Sequence, residues 1–299
     1  MLNSHSIAAS MNDAKWAYAT LVVPVIALSL AVYLPLASIA QRALGPLDPV
    51  TLFCTIVADP LYQRALVTTL EISLYVTIYC LTLGVLLAIF MVHASARIEL
   101  VILTLVVSSW WMSILLRSFI WVVLLQRNGP ISPFLQSIGI VAPGETLLFT
   151  KASVIIAMTH ALAPISILIF WAFLRERARE LRQIALSLGA SDLFYFSRVV
   201  LPQIWGATIA GGTIIFLLAI GFYITPELLG GGGWRTLMIG VLVEEQVNRF
   251  GDWQKASAIS LLLVGAVMTV FTLLVVASGK KFVVSSTLSD QDTCVGSCG

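Results

Sequence analysis

Residues 175–203 read RERARELRQIALSLGASDLFYFSRVVLPQ. This segment leaves one apolar run, Ala152–Leu174, and leads into another, Val199–Pro226, neither of which contains Asp, Glu, Lys or Arg. An α-helix rises about 1.5 Å per residue and the hydrocarbon core of a bilayer is about 30 Å thick, so each run is long enough to span. Four more such runs lie outward from this pair. One lies between Lys15 and Arg42; one follows Arg64 through Val92, with Glu71 near its start; one runs from Leu100 to Gln126 around the single charge Arg117; one covers Ala256–Gly279. All are too long for strands, and none shows the alternation over about ten residues that marks an outer-membrane barrel. The pattern predicts an all-α integral membrane protein, a six-transmembrane-helix bundle.

Composition agrees. The 299 residues are 59% hydrophobic and 11% charged, with a mean hydropathy of +0.98. A soluble domain carries about 25% charge. Even a 300-residue globule leaves about a quarter of its chain surface in water, which this composition cannot cover. A cytosolic enzyme, a secreted disulfide scaffold and a disordered regulator are excluded. The net charge of +2 comes without a basic block, so there is no footprint for nucleic acid. Cys54, Cys80, Cys294 and Cys298 form neither a disulfide framework nor a CxxC metal knuckle. In the first run, Ser38-Ile39-Ala40 resembles a signal-peptide cleavage site. A signal core is about 7–15 apolar residues, however, and Trp16–Ala40 is longer and holds Pro24 and Pro35, so a retained span is expected.

Cytoplasmic loops are enriched in Lys and Arg. With the N-terminus inside, the inner segments hold Lys15, Arg97, Arg175, Arg177, Arg179, Arg182, Arg198, Lys280 and Lys281. The outer ones hold Arg42, Arg64, Arg127, Lys151, Arg235, Arg249 and Lys255. Five arginines crowd one inner segment while the outer charges spread over three longer loops, which favours both termini inside. The expected division is a cytoplasmic N-terminus at 1–15, a membrane domain at 16–280 and a cytoplasmic tail at 281–299.

Within residues 175–203, Leu181, Ile184, Ala185 and Leu188 fall at i, i+3, i+4 and i+7, one face of a helix. Gly189 stands where a helix C-terminal residue takes positive φ without strain, and Ser191 is placed to cap a second helix. Pro202 marks the end of the turn before it. A helix, a glycine turn and a second short helix are expected on the cytoplasmic face. Amphipathicity alone fits two surfaces equally, a lipid interface and a groove on another protein.

The run Gln183-Ile184-Ala185, Leu188-Gly189-Ala190-Ser191, Phe196, Val199 and Leu201-Pro202 resembles the EAA loop of ABC importer permeases, E-A-A-x-x-L-G-A-S followed by Phe, Val and L-P. Gln183 and Ile184 depart from the pattern, so its acidic side chain is absent here. Residues 69–90, 108–130 and 225–232 (TPELLGGG), with Met238-Ile239-Gly240, Gln246 and Asp252-Trp253, are similar to the spermidine/putrescine-type branch. The resemblance spans about residues 65–280. It implies the type I ABC importer permease fold, with the loop as a coupling helix seated on an ATP-hydrolysing subunit. ATPase coupling then falls to Gln183, Ala185, Leu188, Gly189, Ala190, Ser191 and Pro202. It also implies two ATP-binding subunits, a second permease, an external solute-binding protein, a polyamine-like solute and a bacterial inner membrane location. No cofactor is expected on this chain, because ATP would be held by the partner.

Ionisable residues at membrane depth cost several kcal/mol unless paired or wet. Glu71 can snorkel outward, and Arg117, amid Trp110, Trp111, Phe119 and Trp121, can pair with an acid or carbonyl or line an aqueous path. His160, before Pro164, suits helix packing more readily than a proton relay. Gly206, Ala207, Ala210, Gly211 and Gly212 make a small-residue face for close helix contact. Pro226 and Gly230–Gly233 break the fifth run, and non-helical backbone at that depth must meet protein or water. Glu71, Arg117, Glu227 and Gly231 are therefore the candidate pathway residues, with Glu244 and Glu245 placed either to draw in a cation or to form a solvated face. The sequence lacks G-x4-G-K-[ST], HExxH and G-x-S-x-G, so neither a Walker ATP site nor a membrane hydrolase is indicated. An ion-gradient-driven secondary transporter and a membrane-embedded enzyme stand as the rival readings.

Overall fold

The computed structural model describes residues 4–45, 48–139, 142, 145–187, 189, 191, 194, 201–269 and 271–272, with side chains described for these apart from 4–21, 176–187 and 201–203. The described residues are helical with no strand. Helix α1 (Ser4–Ala43) runs through Pro24 and Pro35, and its side chains from Val22 to Ser38 are exposed. A short apolar helix, α2 (Pro49–Ala58), precedes α3 (Pro60–His93). Pro60 at the first helical position needs no N–H partner, and Asp59 accepts from the Leu61 N–H at 2.9 Å, so α3 starts on a capped turn.

The core is formed by α3 lying along α7 (Lys151–Ser187), where Ile72, Val76, Cys80 and Met91 share one buried cluster with Val154, Met158 and Leu162. Their spacing is set by Gly84: a Cβ there would overlap the Ser166 hydroxyl and meet the Phe170 ring at 3.0 Å. Helix α8 (Leu201–Ile220) closes on both. Its Gly212 approaches Leu81 and Thr77, and its Gly211 approaches Ile169 and Leu81. This is the small-residue face predicted for the fifth run.

Two of the runs are bent: the third, expected as a single span, and the fifth, whose break, expected at Pro226, falls a few residues earlier. The third run divides into α4 (Ala96–Trp111) and α5 (Ile114–Leu125), bent by 98°. The fifth divides into α8 and α9 (Ile224–Gly230), bent by 61°. Past them lie α6 (Ser132–Ser137), α10 (Ile239–Asn248) and α11 (Trp253–Thr269). Among the described residues three helices are long and apolar enough to cross a membrane, or five if each bent pair is one span. Most of the last predicted run beyond α11, with Cys294 and Cys298, lies outside the described residues. The separate cytoplasmic helix expected after residue 174 is instead a continuation of α7, which runs unbroken for 37 residues, about 55 Å.

Candidate translocation and coupling site

Arg117 explains the first break. Helix α4 ends at Trp111, leaving its last carbonyls without intrahelical donors, which is costly where water is absent. The Arg117 guanidinium, only 3% exposed, turns back onto them: one terminal nitrogen donates to Ser109 O at 2.5 Å, Met112 O at 3.0 Å and Trp110 O at 3.4 Å. The other donates to Ala161 O of α7 at 3.0 Å. One side chain thus caps α4, fixes the corner and ties it to the core. The next residue, Ser118, hydrogen bonds Thr225 at the start of α9 at 2.7 Å, so the two broken spans meet directly.

The turn that ends α9 is held as firmly. Gly231 and Gly232 take positive φ, 63° and 68°, and a Cβ on Gly231 would overlap the Phe149 ring. Leu229 O accepts from Phe149 N–H at 2.9 Å and from the Ser153 hydroxyl at 3.3 Å. Thr236 donates to Gly230 O at 2.7 Å, and the buried Thr69 hydroxyl accepts from Ile239 N–H at 2.8 Å. Glu227 stands in the first turn of α9, half-buried, with Glu244, Glu245 and Arg249 around it. Glu244 accepts from Asn248 and Glu245 pairs with Arg249, both at 2.7 Å.

Glu71 does not reach outward alone: its Oε2 lies 2.6 Å from the Lys151 ammonium. His160 is exposed on α7 and held by an aromatic neighbour of α5. Its Nδ1 accepts from the Trp121 indole N–H at 3.2 Å, with the rings edge to face at 5.8 Å. Together with Tyr75, Tyr79 and Thr159 they line a cavity of about 690 Å³ between α3, α5 and α7.

At the other end of α7 lie the residues expected to form the coupling loop. Gln183 and Ala185 lie on its last turns, Gly189 takes φ 80°, and the Ser191 hydroxyl accepts from Phe194 N–H at 3.3 Å, the capping geometry expected of it. Leu188 and Ala190 lie outside the described residues, and Pro202 sits in the first turn of α8. A residue unnoticed in the sequence stands just above. Glu99 is buried in the first turn of α4, accepts from Trp171 Nε1 at 2.9 Å and lies 3.4 Å from Arg175, whose guanidinium stacks on Trp171. Arg175, which the sequence grouped with the other arginines of the loop, is thus engaged within this chain although its side chain is half exposed.

Residues 81–284 match the family described as the binding-protein-dependent transport system inner membrane component. The chain belongs to this family. It is thus the permease subunit of an ABC importer, a multi-pass inner-membrane protein with the type I permease fold. It is 29% identical over 205 residues to the spermidine/putrescine transport system permease protein PotB of Escherichia coli, covering 69% of this chain and 74% of that one. PotB of Haemophilus influenzae is 30% identical over 203 residues, covering 68% and 70%. In fold, the chain superposes with a TM-score of 0.73 on a bacterial ABC transporter that imports the acidic polysaccharide alginate, at 16% identity over 92% of this chain and 99% of that one. The comparisons lend no support to the secondary-transporter or enzyme readings.

Proposed function

We propose that this chain forms half of an ATP-driven import pathway for a polyamine-like cation and that residues 181–202 receive the ATPase stroke. The observation that carries this is α7: span and first coupling arm are one continuous helix that ends at Ser187, two residues before Gly189 with its positive φ. A helix has little axial compliance, so displacement of its cytoplasmic end moves the core against α3 and α8. Gln183, Ala185, Leu188, Gly189, Ala190, Ser191 and Pro202 make up the coupling element. Glu71, Arg117, Glu227 and Gly231 belong to the pathway or its walls. The polyamine class is supported by the two PotB relatives and by Glu227, Glu244 and Glu245, which present negative charge beside the second break.

In this reading a second permease of similar fold completes the pathway, two ATP-binding subunits dock on the loops, and an external binding protein delivers the solute. Both termini and residues 281–299 lie in the cytoplasm, and ATP is held by the partner subunits alone. Directional transport requires that the solute bind the two access states with different affinity. The test is uptake of labelled spermidine by cells carrying the intact importer and by cells lacking its ATPase subunit. ATPase-dependent uptake is expected; uptake that persists without the ATPase contradicts the proposal. A thermal-shift screen of the binding protein then fixes the solute, with spermidine or putrescine expected to stabilise it.

A further inference from the structure

At the end of α7 opposite the coupling element, a cleft of about 380 Å³ opens between α3 and the loop joining α9 to α10. Its charged lining is Arg64, Glu71, Lys151 and Arg235. Glu71 and Lys151 neutralise one another across 2.6 Å. Arg64 and Arg235 have no carboxylate within ion-pair distance among the described residues. Both stand over the ring of Trp234, at 5.0 and 5.1 Å from its centroid, so two unmatched positive charges are gathered on one indole.

Stacking on an aromatic face orients a guanidinium and leaves its N–H fork free at the edge, the geometry that takes a carboxylate through two hydrogen bonds. The platform is rigid, because Thr236 ties the next turn to Gly230 O and Gly233 O, and Ile239 is tied to α3 through Thr69. Little ordering would remain to oppose binding. Trp234 is 57% exposed, and exposed Trp with Arg is the composition of binding hot spots.

We propose that this cleft is an anchor for acidic side chains of the external binding protein, with Arg64 and Arg235 as its two prongs. The proposal rests on the import reading above, which places this end of the bundle outside. A protein partner is favoured over a lipid headgroup because Trp234 and Arg235 sit on an interhelical loop and Arg64 lies in the second turn of α3, at the end of that span. The family's dependence on a binding protein supplies the partner.

The experiment uses the assembled importer in phosphatidylcholine nanodiscs and its binding protein loaded with spermidine. Arg64→Glu with Arg235→Glu should weaken binding at least about 30-fold and flatten its salt dependence, while the ATPase subunits still co-purify. Should the double reversal fail to assemble, Arg235→Gln alone should weaken binding roughly fivefold. Affinity unchanged in an assembled variant overturns the proposal. So does loss of labelled phosphatidylglycerol binding with affinity for the protein unchanged, which would make the cleft a lipid site. A wild-type complex that does not bind the protein at all overturns the import reading and the anchor with it.

Discussion

Arg117 is the residue on which the most geometry depends. Its terminal nitrogens reach four backbone carbonyls, three at the end of α4 and one in α7, so truncation strands one buried and three part-buried acceptors as well as removing a charge. Arg117→Ala should destabilise the assembled complex by roughly 2–3 kcal/mol, read as a lower Tm in detergent, because hydrogen bonds to charged groups contribute about 1.5–3 kcal/mol. Arg117→Lys should recover only part, since an ammonium lacks the planar fork. A cap loses transport in step with the amount of folded complex, whereas a pathway residue changes the KM for uptake in the protein that does fold. Glu71→Gln should do little. Both partners of its ion pair are 38% exposed, and such pairs contribute about 0–1 kcal/mol, so Tm should fall only slightly.

At the scale of elements, the contact of α3 with α7 is set by a missing side chain. Gly84→Val drives methyl groups into Ser166 and Phe170 and should cost about 1–3 kcal/mol, measured as thermal stability of the purified complex. Helix α7 makes a second test. Ala178→Pro interrupts the rod between span and coupling element, at about 3 kcal/mol for a proline inside a helix, and should cut ATP-driven uptake at least tenfold while membrane insertion is retained. The spans were legible in the sequence because bilayer thickness dictates a run length that hydropathy reports directly. The bends were not. Residues 112–113 and 221–223 lack both charge and proline, so hydropathy runs straight through them, and the groups that hold the corners, Arg117 on carbonyls and Ser118 on Thr225, act through distance in space. Gly189 and Ser191 were legible because a helix stop and a cap are local chemistry. Glu99 was not, because its indole partner lies 72 residues away.

At the scale of the whole molecule, scarce charge is sorted by location. Arg117 is absorbed by carbonyls, Glu99 by Trp171 and Arg175, and Glu71 by Lys151, so the bundle interior holds little unmatched charge. What remains among the described residues includes the Trp234 platform and the acids around Glu227. In the proposed function, force enters at one end and solute at the other, and the proposed link is α7 with its turn at Gly189. The most direct measurement is spermidine-stimulated ATP hydrolysis by the assembled complex carrying Gly189→Val, whose β-branched side chain resists positive φ. The account predicts that stimulation by the loaded binding protein falls to the unstimulated rate although the complex inserts and assembles; stimulation equal to that of the wild type would contradict it.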